Sequence, residues 1–158
     1  MPTTFGNTAF QDARDAVVAE LDALMANMVS NSIVPKFDAV YDTHLENPAL
    51  DYNCVSVGIP EITSLNVSIH NRPEFLYKIE LRIMTADMNG NVEEERFLDL
   101  ANSVVNWFYT YGQSMADNFR FKPDRGVEVV SNVQFAETMS IGGTVTFYVF
   151  GFEEYTPA

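Results

Sequence analysis

The C-terminal third of the chain alternates between apolar and polar residues, and this alternation constrains the fold more than any other feature. Residues 126–137 alternate, residues 138–143 include the Gly142-Gly143 pair, and residues 144–155 alternate again. A period of two residues is typical of a strand with one buried face, and paired glycines favour a tight hairpin turn. The sequence therefore predicts a long two-stranded ribbon that turns within residues 138–143.

Further strand candidates lie upstream of the ribbon. Residues 75–85 are the clearest, because apolar residues occupy the odd-numbered positions from 75 to 83 whereas Lys78, Glu80 and Arg82 occupy the other side. Such a strand packs one face against a core and turns the other toward water or a partner. The remaining predicted strands are residues 37–41, 54–59 and 65–69.

Two segments repeat their apolar residues at helical spacing instead. The first helix is predicted over residues 9–30, where Thr8 and Gln11 match a capping box at its start. The second is predicted to follow Asn91 as N-cap and to end at Gly112, which we expect in the left-handed conformation that often terminates a helix. Its apolar stripe consists of Phe97, Leu100, Ala101, Val104, Phe108 and Tyr111.

These elements predict an α+β fold, in which an antiparallel or mixed β-sheet carries two amphipathic helices packed on one face. The length of 158 residues suits a single domain, with residues 1–8 as a flexible N-terminal arm. The uncovered face of the sheet would then present polar and some aromatic side chains. Exposed aromatic residues are more natural in an oligomer than in a monomer.

The chain is strongly acidic, with 22 Asp and Glu against 9 Lys and Arg and a formal net charge of −13. This balance disfavours binding to nucleic acid phosphates or to an anionic membrane, because both require clustered cations. It suits solubility, or a surface that repels polyanions. With no signal-peptide pattern, no membrane-length apolar run and a single cysteine, Cys54, we expect a soluble protein of a reducing compartment.

Residues able to support chemistry are few. His44, His70 and Cys54 match no metal-ligand spacing, so we predict no metal and no cofactor. A Cys–His nucleophilic pair would have to meet in space, and the apolar strand around Cys54 favours a buried, inert thiol. The run from Glu93 to Glu95 points in three directions on a helix, which suits the helix dipole better than acid–base catalysis. The sequence therefore predicts no catalytic residues.

One segment concentrates the scarce cations. Arg120, Lys122 and Arg125 alternate with Phe119 and Phe121 inside a long connection after the second helix. Because the rest of the chain is acidic, one interpretation is a contact between this segment and the acidic surface of a neighbouring copy or partner. The other interpretation is a solvated loop whose phenylalanines fill the chain's own core. The sequence supports both equally.

The layout resembles that of the tail-terminator, or tail-completion, proteins of long-tailed bacteriophages. Three stretches carry the likeness, and together they span most of the chain. They are the helix 9–30 with the following Ile33-Val34-Pro35, the strand, turn and helix of residues 77–83, 89–90 and 96–101, and the closing hairpin of residues 127–130 and 145–149.

The resemblance implies a structural virion protein rather than an enzyme. Such proteins form a ring, commonly of six copies, that caps the tail tube, stops its polymerisation and joins it to the head. The resemblance also implies contacts with the tail tube protein and with neck or head-completion proteins, and a channel through which DNA passes without specific binding. The protein would be assembled in the host cytoplasm and located in the tail or neck of the virion. Contact residues matched to two extended loops are His44, Glu46, Arg120, Phe121, Lys122 and Arg125.

Two alternatives stay open. Another neck, head–tail adaptor or tube-associated protein would share the same physics and differ only in its partner. A small α+β enzyme or ligand binder would need an acid or a histidine in an apolar pocket, for which the candidates are Glu80, Glu137 and His70. Glu80 shares a strand face with Lys78 and Arg82, which favours a solvated or paired carboxylate.

Overall fold

The computed structural model describes residues 9–44, 53–67, 73–85, 90–135 and 140–152. Its helices are α1 (Ala9–Ser30) and α2 (Gly90–Tyr111). Its strands are β1 (Ala39–Tyr41), β2 (Cys54–Val57), β3 (Glu61–Val67), β4 (Pro73–Thr85), β5 (Arg120–Phe121), β6 (Glu128–Phe135) and β7 (Ser140–Phe152). The predicted α+β class is confirmed.

Strands β4 and β7 form the centre of one mixed sheet, in which they pair antiparallel along nearly their whole length. On the far side of β4, β2 pairs with residues 81–84 and β3 with residues 73–78, and β1 continues parallel to β2. On the far side of β7 lie β5 and β6. The strand order β1-β2-β4-β7-β5 therefore leaves β1 and β3 at one side of the sheet and β5 and β6 at the other.

Both helices contribute to one core on a single face of this sheet. The odd-numbered residues of β4 from Tyr77 to Ile83 are buried in that core, as the alternation predicted. The indole Nε1 of Trp107 on α2 donates a hydrogen bond of 2.9 Å to Glu20 on α1, which joins the two helices. The bounds predicted for the first helix are confirmed, whereas its proposed capping residue Thr8 lies outside the described residues. The helices bury Ala13, Ala16, Val17, Leu21, Leu24, Met28, Phe97, Leu100, Ala101, Val104 and Phe108 in the core.

The hairpin prediction was right about the two strands and wrong about the glycine pair. Gly142 and Gly143 lie inside β7, opposite Met84 and Ile83 of β4. A Cβ at Gly142 would collide with the carbonyl oxygen of Ile83, and one at Gly143 would collide with the carbonyl oxygen of Val130. The glycines are therefore required because β7 is tightly enclosed by its neighbours, not because the chain turns there.

The start of α2 differs from the prediction, whereas its end at Tyr111, directly before Gly112, is confirmed. The helix begins at Gly90, so Asn91 lies inside it and is not the N-cap. Glycine accommodates helical dihedral angles, and assigning it to the preceding turn caused the error. Gly112 lacks the expected positive φ. Its missing side chain instead allows close packing, because a Cβ there would lie 2.7 Å from the Cβ of Phe121. Tyr111 is exposed and so does not belong to the buried stripe.

Three shorter strands are shifted from their predicted positions. β1 begins at Ala39 because Phe37, although buried in the core, precedes the ladder with β2. β2 ends at Val57, two residues earlier than expected. β3 begins at Glu61 and not at residue 65, and a register shift between Ile62 and Ser64 interrupts the alternation that would have revealed it.

The connection after α2 is ordered along most of its length. Two short 3-10 turns, Ala116–Asn118 and Pro123–Arg125, flank β5. The backbone N–H of Phe121 donates to the carbonyl of Gly112 at 2.7 Å, and that of Lys122 donates to the carbonyl of Tyr148 at 2.9 Å. The cationic segment is therefore an edge of the sheet.

Candidate functional site on the open face of the sheet

The face of the sheet opposite the helices is the main candidate surface. Directly paired residues of neighbouring strands share a face, and the register places Lys78 beside Tyr148, Glu80 beside Thr146, and Arg82 beside Thr144. All of these side chains are at least partly exposed. We call this surface the open face, and it extends to Arg120 on β5 and to Glu128 and Val130 on β6. Ser56 of β2 is on the same side of the sheet but is fully buried.

A charged cleft lies in the open face where β2 ends and β3 begins. Its volume is about 220 Å³. Oppositely charged side chains are mixed along its wall, which disfavours strong selection of either an anion or a cation. The lining residues are His44, Gly58, Ile59, Glu61, Lys78, Glu80 and Arg82.

His44 is held at the edge of this cleft by two polar contacts. Its Nδ1 lies 2.7 Å from the Ser56 hydroxyl, and its Nε2 lies 3.7 Å from Glu80 Oε1. The same carboxylate oxygen accepts a hydrogen bond of 3.3 Å from Arg82 Nε. Gly58 makes room for the ring, because a Cβ there would lie 2.7 Å from His44 Nε2. Glycine at this position therefore lets the loop close over the end of β2.

The imidazole of His44 is neutral at physiological pH. Burial, aided by the charge of Arg82, lowers its pKa to about 4, although Glu80 acts in the opposite direction. The contact between His44 and Glu80 is therefore not an ion pair at pH 7, and Arg82 is the cation that balances the carboxylate. In the tautomer that carries its proton on Nε2, the ring nitrogen Nδ1 accepts a hydrogen bond from the Ser56 hydroxyl, and in the other tautomer Nδ1 donates to it.

Ser56, His44 and Glu80 have the composition of a hydrolytic triad but not its accessibility. Ser56 is fully buried, so its hydroxyl cannot reach a substrate. Glu80 is exposed and paired with Arg82, as its strand position predicted. The contacts of His44 therefore link the end of β1 to β2 and β4. No sequence pattern indicates this group, because its members meet only after β1, β2 and β4 pair.

The other candidate chemical groups are not assembled into a site. Cys54 is buried, and burial, with a smaller effect of Asp38, raises the pKa of its thiol to about 11. That thiol is protonated and unreactive at neutral pH, which agrees with the predicted inert cysteine. Within the described ranges, no three His, Cys, Asp or Glu side chains are grouped as metal ligands would be. The proposed residues Glu46, His70 and Glu137 lie outside those ranges.

The predicted contact residues divide between surface and core. Arg120 and Arg125 are exposed, and the amine of Lys122 lies 5.5 Å from the ring centroid of Phe150. Phe121 is only 2% exposed and packs its ring near those of Phe108, Tyr109 and Phe147. Phe121 therefore offers no side-chain surface to a partner, and the interpretation that the phenylalanines fill the chain's own core is confirmed for Phe119 as well.

His44 and the cationic segment lie at opposite sides of the sheet. His44 follows β1, whereas Arg120 belongs to β5, and these two strands are the ends of the strand order. The structure therefore does not bring the predicted contact residues into one patch. It distributes them over two sheet edges that share the open face.

No protein-family model matches the chain, and the search of curated proteins found no match. Neither α1 nor α2 combines the length and the apolar character that crossing a bilayer requires.

Proposed function

We propose that this protein is a tail terminator of a phage or phage-like particle, a ring of about six copies that caps the tail tube. The observation that carries the proposal is the one-sided sheet. Both described helices pack on one face, while the open face keeps the aromatic rings of Tyr148 and Phe150 partly exposed among charged side chains. A sheet with one uncovered, mixed aromatic and polar face is suited to contact with other protein surfaces.

The charge of the chain supports the same function. A net charge of −13 per subunit would give a ring a strongly negative field, which repels the phosphate backbone. DNA could then pass through the ring without being retained. The same charge opposes assembly, so a ring of this protein requires local cationic surface at its subunit contacts, and Arg120, Lys122 and Arg125 provide it.

The cleft supports a structural function better than catalysis. Its histidine is neutral and bonded to a buried serine, and its exposed carboxylate is paired with Arg82. An enzyme of the cavity type would instead place an unpaired acid or histidine in an apolar pocket. A neck or adaptor protein would use the same surfaces, and only the identity of the partner distinguishes it from a terminator.

Electron microscopy of the purified protein tests the proposal. We expect closed rings with a central hole in negative stain. Substitution Arg120→Glu beside the open face should disrupt them, whereas Tyr111→Arg on the exposed side of α2 should leave them intact. A field of isolated small particles for the unmodified protein would contradict the proposal.

A second experiment separates a terminator from other neck components. Particles assembled without this protein should contain tail tubes of uncontrolled length, because nothing would stop tube polymerisation. Tubes of normal length that fail only to join heads would instead indicate an adaptor.

A further inference from the structure

One side of the sheet is a long composite edge. β5, the Pro123–Arg125 turn and β6 follow β7 in succession, with Lys122 still bonded to the Tyr148 carbonyl between them. In the part of the chain that the structure describes, no strand pairs with the outer edge of β5 or β6. Val129 and Val130 of β6 are 41% and 40% exposed. Beside β5 the backbone is already bonded within the chain, from Phe121 N–H to Gly112 and from Met115 N–H to Phe119. The apolar edge strand β6 is therefore the part of this side that could serve as a template for pairing with another chain.

This edge also carries the local positive charge of an acidic protein. Residues 120–130 include three cations, Arg120, Lys122 and Arg125, against two acids, Asp124 and Glu128, and so carry a net charge of +1 in a chain whose net charge is −13. Arg120 and Arg125 are both exposed. We call residues 120–130 the cationic edge.

The opposite side of the sheet has the complementary character. Asp38 and Asp42 flank β1, Glu61 begins β3, and all three are exposed. Lys36 lies two residues before Asp38, and Lys78 stands opposite Glu61 in the β3–β4 ladder. These three acids and two cations give this side a net charge of −1. Exposed apolar side chains accompany them, since Ile59 and Ile62 project beside Glu61. We call Asp38, Asp42 and Glu61 with their strands the acidic edge.

We propose that the cationic edge of one copy docks against the acidic edge of the next copy, so that subunits join head to tail around the ring. This inference rests on the proposed function and specifies the contact that function requires. The two edges lie at opposite ends of the strand order, so each copy offers one of each. A two-fold contact through one edge would bring cations against cations, whereas a repeated head-to-tail contact pairs opposite charges and can close into a ring.

The contact depends on salt. Exposed charges are screened over about 10 Å at 0.1 M salt and about 3 Å at 1 M. The rings should therefore dissociate at high salt at protein concentrations that sustain them at low salt. Nonpolar association through Val129 and Val130 alone would show the opposite trend.

Charge reversal provides the decisive test. Variant A carries Arg120→Glu and Arg125→Glu, and variant B carries Asp42→Lys and Glu61→Lys. Each variant alone should lose its rings, because one edge then repels its partner. A mixture of A and B should recover rings of even copy number in which the two variants alternate. The reversed, now acidic edge of A then meets the reversed, now cationic edge of B, and the unaltered edges of the two variants also meet as opposite charges.

A matched control removes the effect of net charge. Acidic substitutions at the exposed helix positions Gln11, Ala26, Asn102 and Thr110 give the same net charge as variant A without altering either edge. These rings should persist. Their loss together with failure of the A and B mixture to assemble would overturn the proposal.

A cross-link tests the contact without reversing charge. Lys122→Cys and Asp42→Cys are combined with Cys54→Ser, and oxidation should produce a covalent ladder that ends at the ring size. Intact rings that form no covalent ladder would refute the edge contact and leave the proposed function standing. Rings that assemble normally from variant A alone or from variant B alone would have the same consequence. A monomeric unmodified protein would refute both.

Discussion

Phe121 separates the two interpretations of the cationic segment, and its replacement by alanine should be costly. The side chain is 2% exposed, and its ring centroid lies 5.2 to 5.8 Å from those of Tyr109, Phe147 and Phe108. Truncating a buried phenylalanine removes its transfer free energy and leaves a cavity, which costs about 3 to 5 kcal/mol. We therefore expect Phe121→Ala to lower the free energy of unfolding by about 4 kcal/mol.

Urea unfolding followed by the fluorescence of Trp107, the single tryptophan, measures this change. With a slope of about 2 kcal/mol per M, the midpoint should fall by about 2 M. Tyr109→Ala is the matched control, because Tyr109 is 52% exposed and contacts the same ring from outside. It should cost less than about 1 kcal/mol. Equal effects of the two substitutions, or a small effect of Phe121→Ala, would refute the assignment of Phe121 to the core.

The lowered pKa of His44 means that the unfolded chain takes up its proton first as the pH falls, so stability is complete above pH 6.5 and declines toward pH 4. For this partly exposed ring we expect the free energy of unfolding to fall by about 1 to 2 kcal/mol over that pH range, and we expect no such fall in His44→Gln. Urea midpoints with the same pH dependence in both proteins would contradict this prediction. Gly143→Ala should lower the free energy of unfolding by more than about 3 kcal/mol, because the added Cβ meets the backbone of Val130. Gly126→Ala, where the Cβ has open space but φ is +102°, should lower it by about 1 to 2 kcal/mol. Urea unfolding measures both changes, and the reverse order would be inconsistent with the packing of β7. The Cys54 thiol should react with a maleimide only after unfolding, and rapid labelling of the folded protein would show that it is not buried.

The sequence predicted those elements whose pattern is set by one buried face. The apolar stripe of α1 and the alternation of β4 are uninterrupted, so their bounds or faces could be read directly. The α+β class followed from the number and order of such elements.

The errors arose where tertiary contacts decide the local structure. The glycine pair in β7 signals close approach of Ile83 and Val130, and no neighbouring residue in sequence distinguishes that from a turn. The register shift in β3 hides its alternation, and β5 has only two residues. In the candidate site, Glu80 was correctly expected to be solvated or paired. The hydrogen bond between His44 and Ser56, in contrast, joins residues that only the assembled sheet brings together.

The mass of the assembled protein tests the central claim most directly, which is that two complementary edges of an open-faced sheet join copies of this chain into a ring. Light scattering coupled to size-exclusion chromatography at low salt and tens of micromolar protein gives that mass. We predict one species at a fixed multiple of the 17.7 kDa subunit, about sixfold, that dissociates as salt is raised. A single 17.7 kDa species under the same conditions would contradict the account.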